Sequence, residues 1–203
     1  MMTMIKAEAI SAIMECVTDE NTIVVSGIAF SSNILYKVKH RPRNFYMRLT
    51  MGLALSVGVG IAKARPQDKV VVIDGDGATL LNFQAIITAV NNKCNNLIFV
   101  VLDNKTYDAA RNNLTEKTGT DPTPQVDIQV MAVGAGVYYA PIAIKDVSTL
   151  KSVMNEVLEV LVMNKGVTVL DIEIESGIRR EDFSWDGGET MKNQDEFYKA
   201  MSK

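Results

Sequence analysis

The sequence predicts an α/β fold in which a doubly wound, mainly parallel sheet carries helices on both faces. Three observations support this class. Helical patterns alternate with short strands, the later strands are continuously apolar, and polar or glycine-containing turns follow several of them. Continuously apolar strands are typical of parallel sheets, because helices cover both faces of the sheet. With 203 residues and no internal repeat or linker, the chain is expected to form one domain, residues 1–203.

The first half of the chain alternates between predicted helices and strands, with one irregular segment. Apolar residues at helical spacing predict the first helix: Ile5, Ala9, Ile10, Ile13, Met14 and Val17. The motif NTIVVSG then predicts a strand. Residues 31–48 are polar and irregular, and Pro42 is expected to interrupt any regular element there. The stretch LTMGLALSVGVGIAKA predicts a helix that packs closely on the sheet through Gly52, Gly58 and Gly60.

The second half continues the alternation. Residues 70–73 and the motif NLIFVVLDN predict two buried strands, with a helix between them over residues 80–91. After a long loop over residues 105–126, VDIQVMAVGAG predicts a helix, VYYAPIAI a strand and GVTVLDIEIE the last strand. A helix ended by Gly166 precedes that last strand, and its apolar face consists of Leu150, Val153, Met154, Val157, Leu158 and Leu161. The tail is expected to be a surface segment with a short terminal helix.

Composition and charge exclude several classes of partner. A net charge of −3 leaves no basic surface for nucleic acid or an anionic membrane. Cys16 and Cys94 are too few and too isolated for a disulfide framework or an iron–sulfur cluster, so both are expected to be small buried hydrophobes. No apolar run is long enough to span a bilayer, and the first residues lack the pattern of a signal peptide. We therefore expect a cytoplasmic protein.

Polar residues follow two of the predicted strands at their carboxyl ends. Asp76 lies in the turn after the strand in VVVIDGDG, and Asn104 ends the next strand, so both are expected at one edge of the sheet. A carboxylate, an amide oxygen and a nearby carbonyl are hard ligands that suit Mg²⁺ together with phosphate oxygens. The N–H groups of Gly77 and Ala78 open the next helix, whose positive end favours an anion. These residues predict one site for a metal and a diphosphate, and a non-catalytic Mg²⁺- or nucleotide-binding module stays open.

The motif GDG, followed by an asparagine at a strand end, resembles the diphosphate-binding signature of thiamine diphosphate-dependent enzymes. The segment NFYMRLTMGLALSVGVGIAKA resembles their 2-oxoacid decarboxylase branch, in particular the decarboxylases of sulfopyruvate and phosphonopyruvate. The resemblance is close over residues 27–104 and elsewhere covers only the order of elements. It implies a thiamine diphosphate-binding fold, with thiamine diphosphate and Mg²⁺ as cofactors.

The resemblance also implies roles for individual residues. Asp76 and Asn104 would bind Mg²⁺ through their side chains and Thr106 through its backbone carbonyl, whereas Asp74 has no ligand role. Met51 would be the apolar wedge that holds the cofactor in its bent conformation, and the Leu49 carbonyl would accept a hydrogen bond from the aminopyrimidine. The implied cofactor-binding set is Leu49, Met51, Gly75, Asp76, Gly77, Ala78, Asn104, Thr106 and Tyr107.

Two segments depart from the family pattern. Leu49 and Thr50 stand where these decarboxylases read Gly-Ser, which adds bulk at the pocket wall while keeping the backbone carbonyl. Lys105, Thr106 and Tyr107 follow Asn104 where many members carry a glycine, a change that preserves a carbonyl ligand but alters the loop.

Four polar or aromatic residues in or near these segments each have two possible roles. Arg48 is either a solvated or ion-paired side chain or a clamp for an anionic group of the substrate. His40, the only histidine, is expected to be exposed, with a catalytic role as the alternative. Tyr107 and Asn112, in the long loop, either pack the loop or contact the cofactor or substrate.

The resemblance implies decarboxylation of a 2-oxoacid, with carboligation of the acetolactate synthase type as the alternative. In this family a glutamate from a separate pyrimidine-binding domain activates the cofactor, and this chain has room for the diphosphate-binding domain alone. Glu8 and Glu15 fit solvated helix faces. We therefore expect a pyrimidine-binding α subunit that supplies the glutamate, an α2β2 or larger assembly, and no turnover by the isolated chain. Residues 49–60 and the loop after Asn104 are the expected contact surfaces.

Overall fold

Within the part of the chain that the structure describes, the sheet has five strands, and all of the strand pairs there are parallel. The computed structural model describes residues 4–106, 125–141, 143–162, 165–176 and 189–202. The strands are β1 (Ile23–Ser26), β2 (Asn44–Tyr46), β3 (Val70–Gly75), β4 (Leu97–Asp103) and β5 (Thr168–Glu173). Their order in the sheet is β2-β1-β3-β4-β5. The predicted parallel α/β class is confirmed, and the extent of the domain over 1–203 stays a prediction.

Helices cover both faces of this sheet. Within the described residues they are α1 (Lys6–Cys16), α2 (Phe30–Lys39), α3 (Ala54–Ala64), α4 (Asp76–Leu81), α5 (Gln84–Asn91), α6 (Ile128–Gly134), α7 (Val147–Val162) and α8 (Glu189–Met201). Helices α1, α2 and α7 share one apolar core with one face of the sheet, and α3, α5 and α6 share another with the opposite face. Val71 and Ile73 of β3 point into the first core, and Val70 and Val72 into the second. The two cores explain why the central strands are apolar at every position.

Several predicted helices are confirmed together with the local signals that form them. Helix α1 buries Ala9, Ile10, Ile13 and Met14 at helical spacing. Helix α6 begins after Asp127, whose carboxylate accepts a hydrogen bond from the Val130 N–H at 2.9 Å. In α7 the predicted apolar face is buried at Leu150, Met154, Val157 and Leu158, whereas the side chain of Leu161 lies outside the described part.

The predicted close packing of α3 on the sheet depends on one glycine. A Cβ atom built on Gly58 would lie 2.2 Å from Cγ2 of Val72 on β3, so only glycine fits this crossing without a shift. A Cβ on Gly60 would meet nothing within 4 Å, so the packing role predicted for this residue is wrong. Gly52 has a positive φ of 83° and lies in the turn before α3, where it has a conformational role.

The segment predicted to be irregular contains both α2 and the edge strand β2. Its helical pattern is obscured because the buried face of α2 includes Ser31 and Ser32. The Ser32 hydroxyl lies 2.7 Å from the Gly27 carbonyl and 2.8 Å from that of Met47, which ties the helix to the ends of β1 and β2. Pro42 lies in the turn between the two elements, after α2 has ended, so it interrupts neither.

The helix predicted over residues 80–91 is two helices, and the first begins at Asp76. The break occurs at Asn82, which has φ −140° and ψ 51°. Its side-chain amide donates to the Gly52 carbonyl at 3.0 Å and to the Ser56 hydroxyl at 3.2 Å. The helix break therefore coincides with hydrogen bonds from Asn82 to residues at the start of the α3 region. A pattern of apolar residues does not predict such a break.

The strand predicted for VYYAPIAI is wrong. The described residues of this segment form only isolated bridges to β5, from Tyr139 to Thr168 and from Ile144 to Ile172. Pro141 lies between the two bridges and has no N–H to donate to a ladder, which explains why continuous pairing does not form.

The terminal helix α8 covers the β2 edge of the sheet. The rings of Phe45 and Phe197 meet edge to face at 5.1 Å, and Arg65 Nη1 donates to the Met201 carbonyl at 3.0 Å. Among the described residues no helix is long and apolar enough to cross a membrane. Cys94 is buried as predicted, but Cys16 is only partly buried, because it lies at the end of α1.

Candidate cofactor site

A cavity of about 110 Å³ lies at the carboxyl ends of the strands, where the order of the sheet reverses. From β1 the chain first adds β2 on one side and later β3 on the other, so the segments that leave β1 and β3 diverge. Open α/β sheets bind ligands in the crevice that this divergence creates. Residues 28–31 after β1, residues 74–78 at the junction of β3 and α4, and Asn104 and Thr106 after β4 line the cavity.

Most of the predicted site residues meet at this cavity. The lining includes Met51, Gly75, Asp76, Gly77, Ala78, Asn104 and Thr106. Leu49 instead has a largely exposed side chain and lines a neighbouring groove with Arg48 and Thr50. Tyr107 and Asn112 lie outside the described residues.

Asp76 is the most unusual carboxyl group in the cavity. It is the first residue of α4 and is almost fully buried. Burial and the adjacent carboxyl group of Asp103 raise the pKa of Asp76 well above its usual range. Its Oδ2 atom has no hydrogen-bond partner within the part of the chain that the structure describes. A buried carboxylate oxygen without a partner is a candidate ligand for a cation.

Asn104 reaches the same cavity from the neighbouring strand. β3 and β4 pair in register, with Gly75 opposite Leu102, so the residues that follow them emerge side by side. Asn104 is buried, and its Oδ1 atom accepts a hydrogen bond from the Thr106 N–H at 3.2 Å. The turn after β4 therefore brings an amide oxygen and a backbone segment to the Asp76 side of the cavity.

Met51 reaches the cavity through a turn with two positive φ angles. Thr50 has φ 68° and Gly52 has φ 83°, and the hydrogen bond from Asn82 holds the Gly52 carbonyl. Only the glycine adopts this backbone region without strain. The segment between β2 and α3 is therefore shaped to present Met51, and Asn82 is a supporting residue that sequence reasoning missed.

Sequence reasoning also missed the contribution of the first helices. Lys6 at the start of α1 and Ala29 at the start of α2 line the cavity, and Ala29 has an uncommon φ of 54°. Lys6 acts electrostatically on both Asp74 and Asp76. The sequence contained a signal for the segment after β1. The motif IVVSG is a strand followed by glycine, which is also the form of VVVIDG before Asp76.

Asp74 also lines the cavity, but its carboxylate is engaged locally. Its Oδ1 atom accepts a hydrogen bond from the Gly75 N–H at 2.9 Å, and burial raises the pKa of Asp74 to about 6. A Cβ built on Gly27 would lie 2.1 Å from the same oxygen. Gly27 therefore makes room for Asp74 at the end of β1.

His40 and Arg48 lie away from the lining of this cavity. His40 is exposed as predicted, and its ring nitrogens are 3.0 Å from the Tyr46 hydroxyl and 3.2 Å from Oε2 of Glu196. Arg48 is partly buried and borders a groove that also contains Gln194 of α8. His40 therefore helps to join α8 to the edge of the sheet, and its alternative catalytic role receives no support from this position.

The donor set at the cavity is poor in charged metal ligands. Among the described residues, no group of three or more histidine, cysteine, aspartate or glutamate side chains is arranged to hold a metal ion. The predicted Mg²⁺ set contains one carboxylate, from Asp76, and depends otherwise on the Asn104 amide and the Thr106 carbonyl.

Residues 29–172 match the family model of the C-terminal TPP-binding domain of thiamine pyrophosphate enzymes. The chain belongs to this family. The match includes both segments that line the crevice after β3 and β4, so most of the cavity lining, apart from Lys6 and Ile28, lies within the range of the family model. The predicted recognition is thereby confirmed at the level of the family.

Sequence relatives of this TPP-binding domain include sulfopyruvate and phosphonopyruvate decarboxylases. The chain is 42% identical over 117 residues to the sulfopyruvate decarboxylase subunit beta of Methanocaldococcus jannaschii, covering 58% of this chain and 59% of that protein. It is 38% identical over 98 residues to the phosphonopyruvate decarboxylase of Streptomyces viridochromogenes, covering 48% and 24% of the two chains. Across three subunit beta relatives, the matches span between 54% and 63% of the relatives' length.

Solved structures with the same fold include longer chains of decarboxylases. Benzoylformate decarboxylase from Polynucleobacter necessarius superposes with a TM-score of 0.69 at 21% identity, over 84% of this chain and 33% of that one. The thiamine diphosphate-dependent 4-hydroxybenzoylformate decarboxylase of Rhodococcus jostii gives a TM-score of 0.67 at 19% identity, over 87% and 33%. At this identity the similarity establishes the fold alone.

Proposed function

We propose that this chain is the diphosphate-binding β subunit of a two-chain, thiamine diphosphate-dependent decarboxylase that acts on a 2-oxoacid. One observation carries the proposal. Asp76 follows β3 and Asn104 follows β4, and both line one cavity at the place where the strand order of the sheet reverses. The family to which the chain belongs supports the choice of cofactor.

The residues at the cavity fit a divalent cation and a diphosphate. The buried Oδ2 atom of Asp76 lacks a partner among the described residues, and the Asn104 amide lies in the same lining. Asp76, Asn104 and the Thr106 carbonyl would hold Mg²⁺, which favours oxygen ligands of this kind. A Cβ on Gly75 would meet nothing within 4 Å, so the backbone beside Asp76 is open to a ligand.

The rest of the lining suits the other parts of the cofactor. The N–H groups of Gly77 and Ala78 belong to the first turn of α4, where backbone donors lack partners within a helix and can bind phosphate oxygens. Lys6 adds a positive charge on the same side of the cavity. Met51 would support the bent conformation of the cofactor, while the backbone of Leu49 and the segment at Tyr107 complete the proposed binding set.

The chemistry that bound thiamine diphosphate supplies is an electron sink for the loss of carbon dioxide from a 2-oxoacid. The residues of this chain would bind and orient the cofactor: Asp76 and Asn104 would hold its diphosphate end through the metal, and Met51 would support the position of its reactive end. The described lining contains the carboxyl groups of Asp74 and Asp76 and no glutamate. This composition supports a partner chain as the source of the activating glutamate.

The substrate that we propose is a 2-oxoacid with a second anionic group, of the sulfopyruvate or phosphonopyruvate type. The relatives with subunit beta in their names support both this substrate class and a pyrimidine-binding α subunit, which would form an α2β2 or larger enzyme. Arg48 in the groove beside Leu49 is a candidate contact for the anionic group. A cytoplasmic location stays a prediction.

Carboligation is the second candidate function. The chain is 35% identical over 117 residues to the large subunit of acetolactate synthase isozyme 2 from Escherichia coli, with coverage of 52% of this chain and 21% of that one. Aldehyde release indicates decarboxylation and acyloin or acetolactate formation indicates carboligation, so an assay of the products from a panel of 2-oxoacids separates the two. A non-catalytic Mg²⁺ or nucleotide module would give neither product.

Asp76→Asn tests the proposed site directly. Because Asp76 would be the only ionised ligand, this change should weaken Mg²⁺-dependent binding of thiamine diphosphate by about two orders of magnitude. The measurement is calorimetric titration of the chain with the cofactor, in Mg²⁺ and in EDTA.

Asp74→Asn is the matched control, since Asp74 lines the same cavity and has no proposed ligand role. It should retain the Mg²⁺ dependence. Equal affinities for the parent chain and the Asp76 variant would remove the proposed metal site, and a comparable loss in both variants would show that only the charge of the cavity matters.

A further inference from the structure

The turn after β4 contains a non-glycine residue in a conformation that favours glycine. Lys105 has φ 57°, in the left-handed region that L side chains rarely adopt. Lys105 lies between two residues that provide proposed metal ligands, the side chain of Asn104 and the carbonyl of Thr106. A glycine would adopt this backbone more readily, so a lysine at this position calls for a role of its side chain.

The Lys105 side chain and backbone both bind one buried carboxylate. The Lys105 N–H donates to Oδ1 of Asp103 at 2.9 Å, and its ammonium group forms an ion pair with Oδ2 of the same residue. Asp103 is only 1% exposed and is the last residue of β4, so its carboxylate is anchored to the sheet. Two bonds from one residue to the two oxygens of another define the geometry of the turn between them.

The same ammonium group reaches the other end of the long loop. Lys105 Nζ lies 3.4 Å from the carbonyl of Val126, where the described chain resumes before α6. It also interacts electrostatically with Asp171 on β5 and with Asp76. Lys105 is therefore a cation among three carboxyl groups that would otherwise repel one another at this edge of the sheet.

We propose that Asp103 and Lys105 are positioning residues for the metal site: their double contact holds the turn in which Asn104 and Thr106 face the cavity. The inference rests on the proposed function, because it concerns the ligands of the proposed Mg²⁺ site. Residues behind metal ligands orient them and set their affinity. Lys105 acts through Asn104 and Thr106 and does not itself touch the metal.

Three substitutions at Lys105 separate the charge from the backbone conformation. Lys105→Met removes the ammonium group and keeps a long side chain. Lys105→Gly removes the ammonium group and relieves the positive φ, and Lys105→Arg keeps a cation as the rescue variant. If the double contact between Asp103 and Lys105 orients the ligands, the two variants without the cation should show similar affinities for Mg²⁺, although their backbone preferences differ.

The first measurement is the Mg²⁺ concentration at half-saturation of thiamine diphosphate binding, by calorimetry on the full chain. Lys105→Met and Lys105→Gly should raise it about tenfold, and Lys105→Arg should keep it within about twofold of the parent. Parent-like values for both the Met and the Gly variants would overturn the inference. A lower value for the Met variant would also overturn it, since the ammonium group would then compete with the metal.

The second measurement needs no ligand. Hydrogen–deuterium exchange of the peptide that contains residues 103–106 should be faster in Lys105→Met than in the parent and should return to the parent rate in Lys105→Arg. Equal exchange rates in all three proteins would contradict the proposal that Lys105 holds this turn. If the parent chain shows no Mg²⁺-dependent cofactor binding, the proposed metal site fails, and the exchange rates still decide whether Lys105 holds the turn.

Discussion

Buried aspartates are the residues whose chemistry the tertiary structure changes most. Burial raises the pKa of Asp74 to about 6, and burial together with the neighbouring Asp103 raises that of Asp171 to about 7. Oδ1 of Asp171 is buried and has no hydrogen-bond partner in the described part of the protein. In sequence these residues are ordinary aspartates, and only their low-dielectric surroundings make the ionised form unfavourable.

Asp171→Asn should alter how stability depends on pH. An unfolded aspartate has a pKa near 3.9, so between about pH 4 and pH 7 the folded state of the parent retains a proton that the unfolded state has lost. The group therefore lowers stability as pH rises through this window, by at most about 1.4 kcal/mol per pH unit. The variant lacks this term, so its free energy of unfolding should gain on that of the parent from pH 4 to pH 7. Urea denaturation at several pH values measures the difference.

Asp146→Asn serves as the control with the opposite sign. Hydrogen bonds from the Ser148 hydroxyl and from Thr149 lower the pKa of Asp146 to about 2. Its stabilising contribution is therefore present above the unfolded pKa and is lost only as pH falls toward 2. The offset between this variant and the parent should be constant from pH 5 to pH 8. A constant offset for Asp171→Asn over pH 4 to 7 would contradict the proposed titration.

At the scale of elements, α3 shows how one sequence pattern contains two different kinds of glycine. Gly58 faces Val72 of β3 at a distance that excludes a Cβ atom, and Gly60 faces solvent two residues later. Glycine in an exposed helix position lowers stability relative to alanine, because the unfolded chain has more conformational freedom. The same helix therefore contains one glycine required by packing and one that packing does not require.

Gly58→Ala and Gly60→Ala should change stability in opposite directions. Gly58→Ala forces the helix away from the sheet and should lower the free energy of unfolding by about 1–3 kcal/mol. Gly60→Ala should raise it by about 0.5–1 kcal/mol. Chemical denaturation of the two variants beside the parent gives both values. Similar effects from both substitutions would show that the contact between Gly58 and Val72 does not limit the approach of α3.

At the scale of the whole molecule, exposed apolar side chains surround the Met51 turn. Leu49 and Leu53 flank Met51 in sequence and are exposed, and Leu81 at the end of α4 lies beside the same turn, close to Gly52. Four residues of the predicted contact segment, 49–60, are instead buried on the inner face of α3: Ala54, Leu55, Gly58 and Val59. Exposed apolar groups next to a ligand cavity are typical of protein interfaces, which fits a partner chain that covers the cofactor.

Leu81→Ser should weaken the association of this chain with the proposed partner chain by about tenfold, because an apolar contact would be lost from the proposed interface. Val130→Ser on α6 is the control, since the exposed fractions of Leu81 and Val130 are 60% and 63% and Val130 lies outside the cavity region. Association is measured by titrating each variant against the purified partner, with turnover of 2-oxoacids as the second readout. The isolated parent chain should show no turnover, and full activity of the lone chain would contradict the two-chain proposal.

The sequence alone determined the fold class, the family and the residues of the GDG motif. These signals are local: the apolar runs at β3 and β4 specify buried strands, and the turns that follow them place Asp76 and Asn104 at the same edge. Helices α1 and α7 were also predictable, since their apolar faces follow the helical period.

Only the tertiary structure decided how these elements meet. Sequence periodicity failed at α2 because its buried face includes two serines, of which Ser32 bonds to the ends of β1 and β2. It failed at Asn82 because that side chain bonds to a distant turn. It could not place Lys6 in the cavity or pair Lys105 with Asp103. Each of these depends on polar contacts in three dimensions, whereas an apolar pattern reports only which side of an element avoids water.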